Sequence, residues 1–311
     1  MILRIGTRAS KLALTQSEWV KGKIEARHPD VNVDLIRIKT MGDKILDSPL
    51  SKIGGKGLFV KEIEDALLER KVDLAVHSMK DVPAELPDRL MLSTFPKREN
   101  PADALISTEA QTLDQLPRGA TVGTSSLRRG AQLLYARPDI ELVPLRGNVD
   151  TRLRKLESGD LHAIILAAAG LKRLGLSSRI TQTLSFDQVL PAVGQGALGI
   201  EVRRDDEQTI SLLHFLDHNA TRLTVTTERA FLKELEGGCQ VPIAGLAQLD
   251  EDKLSFEGMV AELDGSRILR EEIIGTKDQA EEIGIALARK LLDSGADRIL
   301  EEIYGKGLGQ K

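Results

Sequence analysis

Residues 3–40, LRIGTRASKLALTQSEWVKGKIEARHPDVNVDLIRIKT, read as an apolar strand, a small-residue turn, an amphipathic helix closing at ARHPD and a second strand. Residues 120–147, ATVGTSSLRRGAQLLYARPDIELVPLRG, run through the same order. The parallel continues in FVKEIEDALLERKVDLAVHS (59–78) and DTRLRKLESGDLHAIILAAAG (150–170), each a helix, a charged or glycine-bearing turn and a buried-looking strand. A chain that repeats this unit folds as two similar α/β halves. The halves differ in one connection, since MGDKILDSPLSKIGGKG (41–57) has almost no counterpart in the second half and reads as a mobile flap. STFPKRENPADALIS (93–107) and the glycine-rich DQVLPAVGQGALGIEV (187–202) are candidate crossover strands. From about residue 219 the pattern becomes a helix at 224–236, then the strand-like runs VPIAGLAQL, KLSFEGMVAEL and SRILREEIIGT, whose DEDK and DG turns suit antiparallel hairpins. A helix at 277–295 and a shorter one follow, which makes a third, α+β domain with Cys239 at its helix-to-strand turn.

That cysteine is the only one in the chain, so an intrachain disulfide and a Cys-rich zinc site are excluded and a reducing, cytoplasmic setting is expected. The opening MILRIGTRAS lacks the apolar core and cleavage site of a signal peptide, and no apolar stretch is long enough to cross a bilayer. The net charge of -4 argues against general nucleic-acid binding, so the informative charge is local.

Gly194, Gly196 and Gly199 in GQGALG fit the spacing of a dinucleotide fingerprint, but Pro191 precedes them and a strand-like run follows, where that motif needs a strand before and a helix after. IGGKGLF lacks the spacing and hydroxyl of a phosphate-binding P-loop, and no serine nucleophile elbow is present. What stands out is cations and hydroxyls at strand-to-helix turns. GTRAS places Thr7, Arg8 and Ser10 at the first turn, and GTSSLRR places Thr124, Ser125, Ser126, Arg128 and Arg129 at the matching one. Helix N-termini expose free N–H groups, so such turns form sites for carboxylate or phosphate. Lys52, Lys56, Lys80, Arg146, Arg152 and Arg173 add cations on other loops and helices. The plainer readings stand beside this one: Ser10 and Ser126 as helix caps, Arg154 and Lys155 as a solvated helix face, His77 as a satisfied core histidine. LAVHSMKDVP (74–83) ends a strand in His77, Ser78, Lys80 and Asp81, at the edge where open α/β sheets bind ligands. A carboxylate there, among cations, stays ionised and can stabilise a cationic intermediate or relay a proton, or can pair only with Lys80.

GTRASKLAL, IGGKGLFVKEIE, AVHSMKDVP, VGTSSLRR, LRGNVDTRL, GLKRLG, GQGALGIE and GGCQVPI, in this order along the chain, resemble the porphobilinogen deaminases, also called hydroxymethylbilane synthases. The resemblance implies two domains like type II periplasmic binding proteins with the active site between them, plus the third domain. The limits it implies are 1–97 with 197–216, 102–192, and 219–311. It implies a transferase of tetrapyrrole (haem) biosynthesis that joins four porphobilinogen molecules head to tail into linear hydroxymethylbilane and releases ammonia. The chain grows on a dipyrromethane cofactor held by Cys239 through a thioether. Loss of ammonia leaves an electrophilic methylene-pyrrolenine, attacked by the free α-carbon of the terminal ring, and Asp81 matches the carboxylate that stabilises these cationic pyrroles. Because each ring carries an acetate and a propionate, cations must line the cleft. Ser10, Lys80, Asp81, Thr124, Ser126, Arg128, Arg129 and Arg146 match cofactor ligands. Arg8, Arg146, Arg152, Arg173, Gln195, Lys52 and Lys56 match substrate-binding positions around the cleft and flap. No metal, nucleic acid or membrane is implied, and a monomer is expected.

A two-lobed anion-binding protein or effector-binding module is the rival reading, because a duplicated fold does not fix function. A dehydrogenase using GQGALG is a third.

Overall fold

The computed structural model describes residues 1–44, 57–237 and 241–308. Cys239, Lys52, Lys56 and most of the expected flap lie outside the described residues.

The repeat becomes two sheets of the same plan. In the first half, β1 (Ile2–Thr7), helix α1 (Lys11–Arg27), β2 (Asn32–Arg37), helix α2 (Lys61–Leu68) and β3 (Leu74–Ser78) follow in sequence, and β4 (Leu90–Thr94) closes the edge. In the second half, β5 (Asp103–Ser107) precedes β6 (Thr121–Gly123), helix α3 (Leu127–Ala136), β7 (Glu141–Val143), helix α4 (Val149–Glu157), β8 (Ala163–Ala167), the short helix α5 (Ala168–Arg173) and β9 (Gln182–Thr183). β10 (Leu198–Arg203) comes last in sequence but joins the first sheet, giving the orders β2-β1-β3-β10-β4 and β7-β6-β8-β5-β9. In each sheet the first three strands are parallel, and the fourth position is filled by an antiparallel strand, β10 or β5. The two candidate crossover segments are therefore real strands whose approaches pass between the sheets. β8, AIILA, is a continuous apolar run, as a strand covered on both faces requires.

Serine caps start both matching helices: Ser10 Oγ accepts from the Ala13 amide at 3.3 Å, and Ser126 Oγ from the Arg129 amide at 3.4 Å. The capping reading of these serines thus holds, and it leaves each hydroxyl hydrogen available to a ligand. The GQGALG glycines form a turn, with Gly194 and Gly196 at φ 72° and 85°, that runs into a strand and not a helix. The run after these glycines is thus the strand that the sequence predicts, in the place where a dinucleotide fingerprint has its helix.

The third unit is an antiparallel meander of β11 (Ile243–Asp250), β12 (Lys253–Ala261) and β13 (Ile268–Thr276). Packed against it are helices α6 (Asn219–Glu234) and α7 (Ala280–Leu291), the latter followed by a kink at Gly295 and a last helix, α8 (Asp297–Leu308). The core of this unit centres on Phe231 and Phe256, edge to face at 5.1 Å. Helix α6 begins five residues before the start expected from sequence, because His218 caps it by accepting from the Thr221 amide through Nδ1 at 3.3 Å. Where α7 crosses α6 only glycine fits, since a Cβ on Gly284 would stand 2.2 Å from the Thr227 carbonyl oxygen.

Glu228, fully buried on α6, ties the units together. Its Oε1 accepts from Arg98 at 2.6 Å and from the Ala247 amide of β11 at 3.0 Å, while Oε2 accepts from the Gly194 amide at 2.6 Å and from Arg98 at 3.1 Å. One carboxylate thus joins the two segments that connect the sheets to the third unit, with every lone pair used.

Candidate active site

β3 delivers the central carboxylate. The strand ends at Ser78 and a single 3-10 turn, Met79–Asp81, lifts Asp81 to its carboxyl-end edge. There Asp81 lines a pocket together with Arg8, Ser10, Gln16, His77 and Ser78. Gln16 Nε2 donates to Ser78 Oγ at 3.0 Å, and the Arg8 guanidinium lies 4.2 Å over the ring of Phe59. Immediately after Asp81 the chain is pinned by Arg229 of α6, which donates to the carbonyls of Pro83 and Ala84 at 2.8 Å each. Burial of that guanidinium pushes it down to about 10, against the opposing charge of Glu201.

The second half contributes the cationic wall. Thr124, at the end of β6, accepts from the Ser126 amide at 3.2 Å, and Ser125 Oγ donates to the Leu145 carbonyl at 2.9 Å. Arg128 and Arg129 are buried and converge on Asp103, the first residue of β5, which is 0% exposed. Arg128 Nη1 donates to Oδ2 at 2.7 Å, and Arg129 donates to Oδ1 through Nε at 2.9 Å and Nη2 at 2.6 Å. Gln195 Nε2 donates to the same Oδ1 at 3.0 Å. Burial works to raise the Asp103 carboxyl, but the charges and hydrogen bonds of the two arginines prevail and hold it well below the usual carboxylate range. Arg128, Arg129 and Gln195, expected only as ligand-binding residues, are thus also bound to an internal anion that the sequence reading passed over as part of a connection.

Lys80, Arg129, Arg146, Arg152 and Asp81 feel one another across the cleft. Lys80 is pushed down to about 8, first by burial and then by the charges of Arg129 and Arg128, with Asp81 and Asp103 opposing. Arg152 is pushed down to about 10 by burial and by Arg129 and Arg146, with Asp81 opposing; its Nε donates to the Gly147 carbonyl at 2.9 Å. Arg173 lies at the crossover, donating to the Gly196 carbonyl at 2.7 Å.

Cations such as Lys80 and Arg152, pushed down by burial and by neighbouring guanidinium charges, make a site built for a polyanion, because each carboxylate that enters replaces repulsion by charge-assisted hydrogen bonds. The residues present therefore fit a dipyrromethane, whose two rings carry four carboxylates. Among the described residues no group of His, Cys, Asp and Glu side chains is arranged to hold a metal ion, and no helix is long and apolar enough to cross a membrane.

Comparison with known proteins agrees with this chemistry. The family model described as "Porphobilinogen deaminase, dipyromethane cofactor binding domain" matches residues 3–211, and "Porphobilinogen deaminase, C-terminal domain" matches residues 222–293. A protein of Syntrophotalea carbinolica named porphobilinogen deaminase is 56% identical, covering 96% of this chain and 95% of its own. Relatives of the same name from Nitratidesulfovibrio vulgaris (56% identical, 98% of each chain) and Geobacter metallireducens (53%, 99% and 97%) are similar to the same extent. Among solved structures, a methionine-bound nutrient binding protein from Burkholderia cenocepacia is 14% identical over 68% of this chain and 90% of its own, with a TM-score of 0.42. The periplasmic aliphatic sulphonate binding protein of Escherichia coli, also 14% identical, covers 76% of this chain and 70% of its own at a TM-score of 0.40.

Proposed function

The chain belongs to the porphobilinogen deaminase family, and on that premise we propose that Asp81 is its catalytic carboxylate and that the cations around it hold the acetate and propionate groups of cofactor and substrate. The enzyme is a transferase of tetrapyrrole biosynthesis that converts porphobilinogen into linear hydroxymethylbilane with release of ammonia, on a dipyrromethane cofactor. When bound, the cofactor supplies the nucleophilic pyrrole carbon from which the product grows. Asp81, an anion among Lys80, Arg129 and Arg152, accepts pyrrole N–H groups, offsets the positive charge that develops when ammonia leaves, and receives the proton that the attacking terminal ring gives up. Ser10, Thr124 and Ser126 offer hydroxyls at the two matching turns. Lys80, Arg128, Arg129 and Arg146 take cofactor carboxylates, and Arg8, Arg146, Arg152, Arg173, Gln195, Lys52 and Lys56 serve incoming substrate.

The single observation that carries this reading is the gathering of Lys80 and Arg152 around Asp81, both pushed down by burial first and by the shared neighbour Arg129 next, a charge imbalance that carboxylates on a pyrrole relieve. In the same reading the domains run 1–97 with 197–216, 102–192 and 219–311. Cys239 carries the cofactor, and the enzyme acts as a cytoplasmic monomer. Intact mass of the purified protein and of Cys239→Ser tests it: the wild type carries the added mass of a dipyrromethane and releases ammonia from porphobilinogen, and the variant does neither. A wild type without that mass and without ammonia release leaves the anion-binding module as the correct reading.

A further inference from the structure

The sheet face beneath α2 is not wholly apolar. His77 on β3 and Glu201 on β10 lie on that face, with His77 Nε2 and Glu201 Oε2 2.8 Å apart and the side chains 5% and 0% exposed. The second oxygen, Glu201 Oε1, is buried with no hydrogen-bond partner. Glu64, buried on α2, adds a second carboxylate to the same compartment. The charged groups facing it are Arg229 from α6, and Lys61 and Asp65 from α2 itself. Two buried carboxylates close enough to feel each other, one of them paired with an imidazole and left with an unsatisfied oxygen, hold a proton at lower cost than they hold two negative charges. Glu64 is indeed pushed up to about 7, by burial first and by Glu201 second, with His77 opposing.

His77 lines the same pocket as Asp81, so the histidine of this compartment borders the space that holds the proposed catalytic carboxylate. Building on the function proposed above, we propose that His77, Glu201 and Glu64 form a buried proton store that empties Asp81 after each condensation. The bookkeeping of the reaction calls for one. Ammonia departs with the electron pair of its C–N bond. The α-carbon of the terminal ring uses a ring electron pair to form the new C–C bond to the methylene carbon, then loses its proton, and the C–H electrons restore its aromatic ring. Asp81 takes that proton but must be ionised again before the next substrate arrives, so the proton passes on to the His77–Glu201 pair, is held there or on Glu64, and is later lost to solvent. His77, Glu201 and Glu64 are positioning residues in this scheme, acting through Asp81 and not on the substrate.

The test uses cofactor-loaded wild type, Glu64→Gln and His77→Gln, each checked for fold by circular dichroism and for cofactor by intact mass. In the wild type the kcat profile carries an ionisation near pH 7, in the range of the Glu64 carboxyl. Glu64→Gln is expected to abolish that ionisation and to enlarge the solvent deuterium isotope effect, with kcat reduced on the order of tenfold at nearly unchanged KM. Infrared difference spectra between acid and neutral pH should show a protonated-carboxyl band that Glu64→Gln lacks. His77→Gln is expected to lower kcat further; should it fail to fold, Glu64→Gln decides alone. A folded, loaded Glu64→Gln with the wild-type pH profile and isotope effect, or with the protonated-carboxyl band intact, overturns the proposal. Wild type that releases no ammonia overturns the function beneath it instead, so the two failures are distinct.

Discussion

Leucine at position 129 tests the double duty of the arginine pair. The sequence alone predicts a loss of ligand binding in a sound fold, whereas the structure adds a stability cost. The change deletes two hydrogen bonds to Asp103, at 2.9 and 2.6 Å, and a third from Nη1 to the Ile165 carbonyl at 3.1 Å. Breaking a buried ion pair from one side costs about 3–5 kcal/mol. Asp103 retains Arg128 at 2.7 Å and Gln195 at 3.0 Å, which places the expected loss at the lower end, about 3 kcal/mol. Asp103→Asn should cost a similar amount because it strands two desolvated guanidinium groups, and the double variant should cost less than the sum, with a coupling on the order of 2 kcal/mol. Urea unfolding followed by far-ultraviolet circular dichroism measures all four proteins. The sign of the pH dependence follows from the depressed carboxyl: its contribution is full above the unfolded value of about 3.9 and is lost progressively as pH falls below it. An Arg129→Leu protein within about 1 kcal/mol of wild type, or a coupling near zero, refutes the idea that Asp103 depends on this arginine.

The raised carboxyl of Glu64 makes wild type lose stability as pH rises from 4.5 to about 7, because the native state keeps a proton that the unfolded chain has given up. Glu64→Gln should remove that slope, gaining about 2 kcal/mol on wild type between pH 5 and pH 8, and parallel urea midpoints at the two pH values contradict it. Arg229→Gln frees the carbonyls behind Asp81, so kcat should fall on the order of tenfold with cofactor content retained, and a change confined to KM contradicts the anchoring role.

Local periodicity made the order of elements legible, down to the hairpins of the third unit, because strand and helix repeats are properties of short windows. The anion-facing turns were legible for a different reason: the repeat sets GTSSLRR beside GTRAS, and two matched turns with the same chemistry are hard to read as accident. Asp103, Glu201, Glu228 and Arg229 were not legible. Each sits in an apolar strand or on an ordinary-looking helix, where a charge reads as the solvent side. What reverses that reading is a partner far along the chain, such as His77, which is 124 residues from Glu201. The start of α6 was missed because a histidine caps it in place of the usual small hydroxyl or carboxylate side chain. His77 itself is the buried, hydrogen-bonded histidine of the plainer reading, and its partner is what gives it interest.

The claim that an ionised Asp81 at the mouth of β3 drives condensation is tested most directly by ammonia release from porphobilinogen, measured side by side on cofactor-loaded wild type and Asp81→Asn. Asparagine keeps the size and one acceptor oxygen but loses the charge that offsets the cationic pyrrole, so the rate should fall on the order of 10²-fold or more, while intact mass shows the dipyrromethane still attached. A loaded Asp81→Asn enzyme that releases ammonia within about threefold of the wild-type rate contradicts the assignment and moves the catalytic charge elsewhere in the cleft.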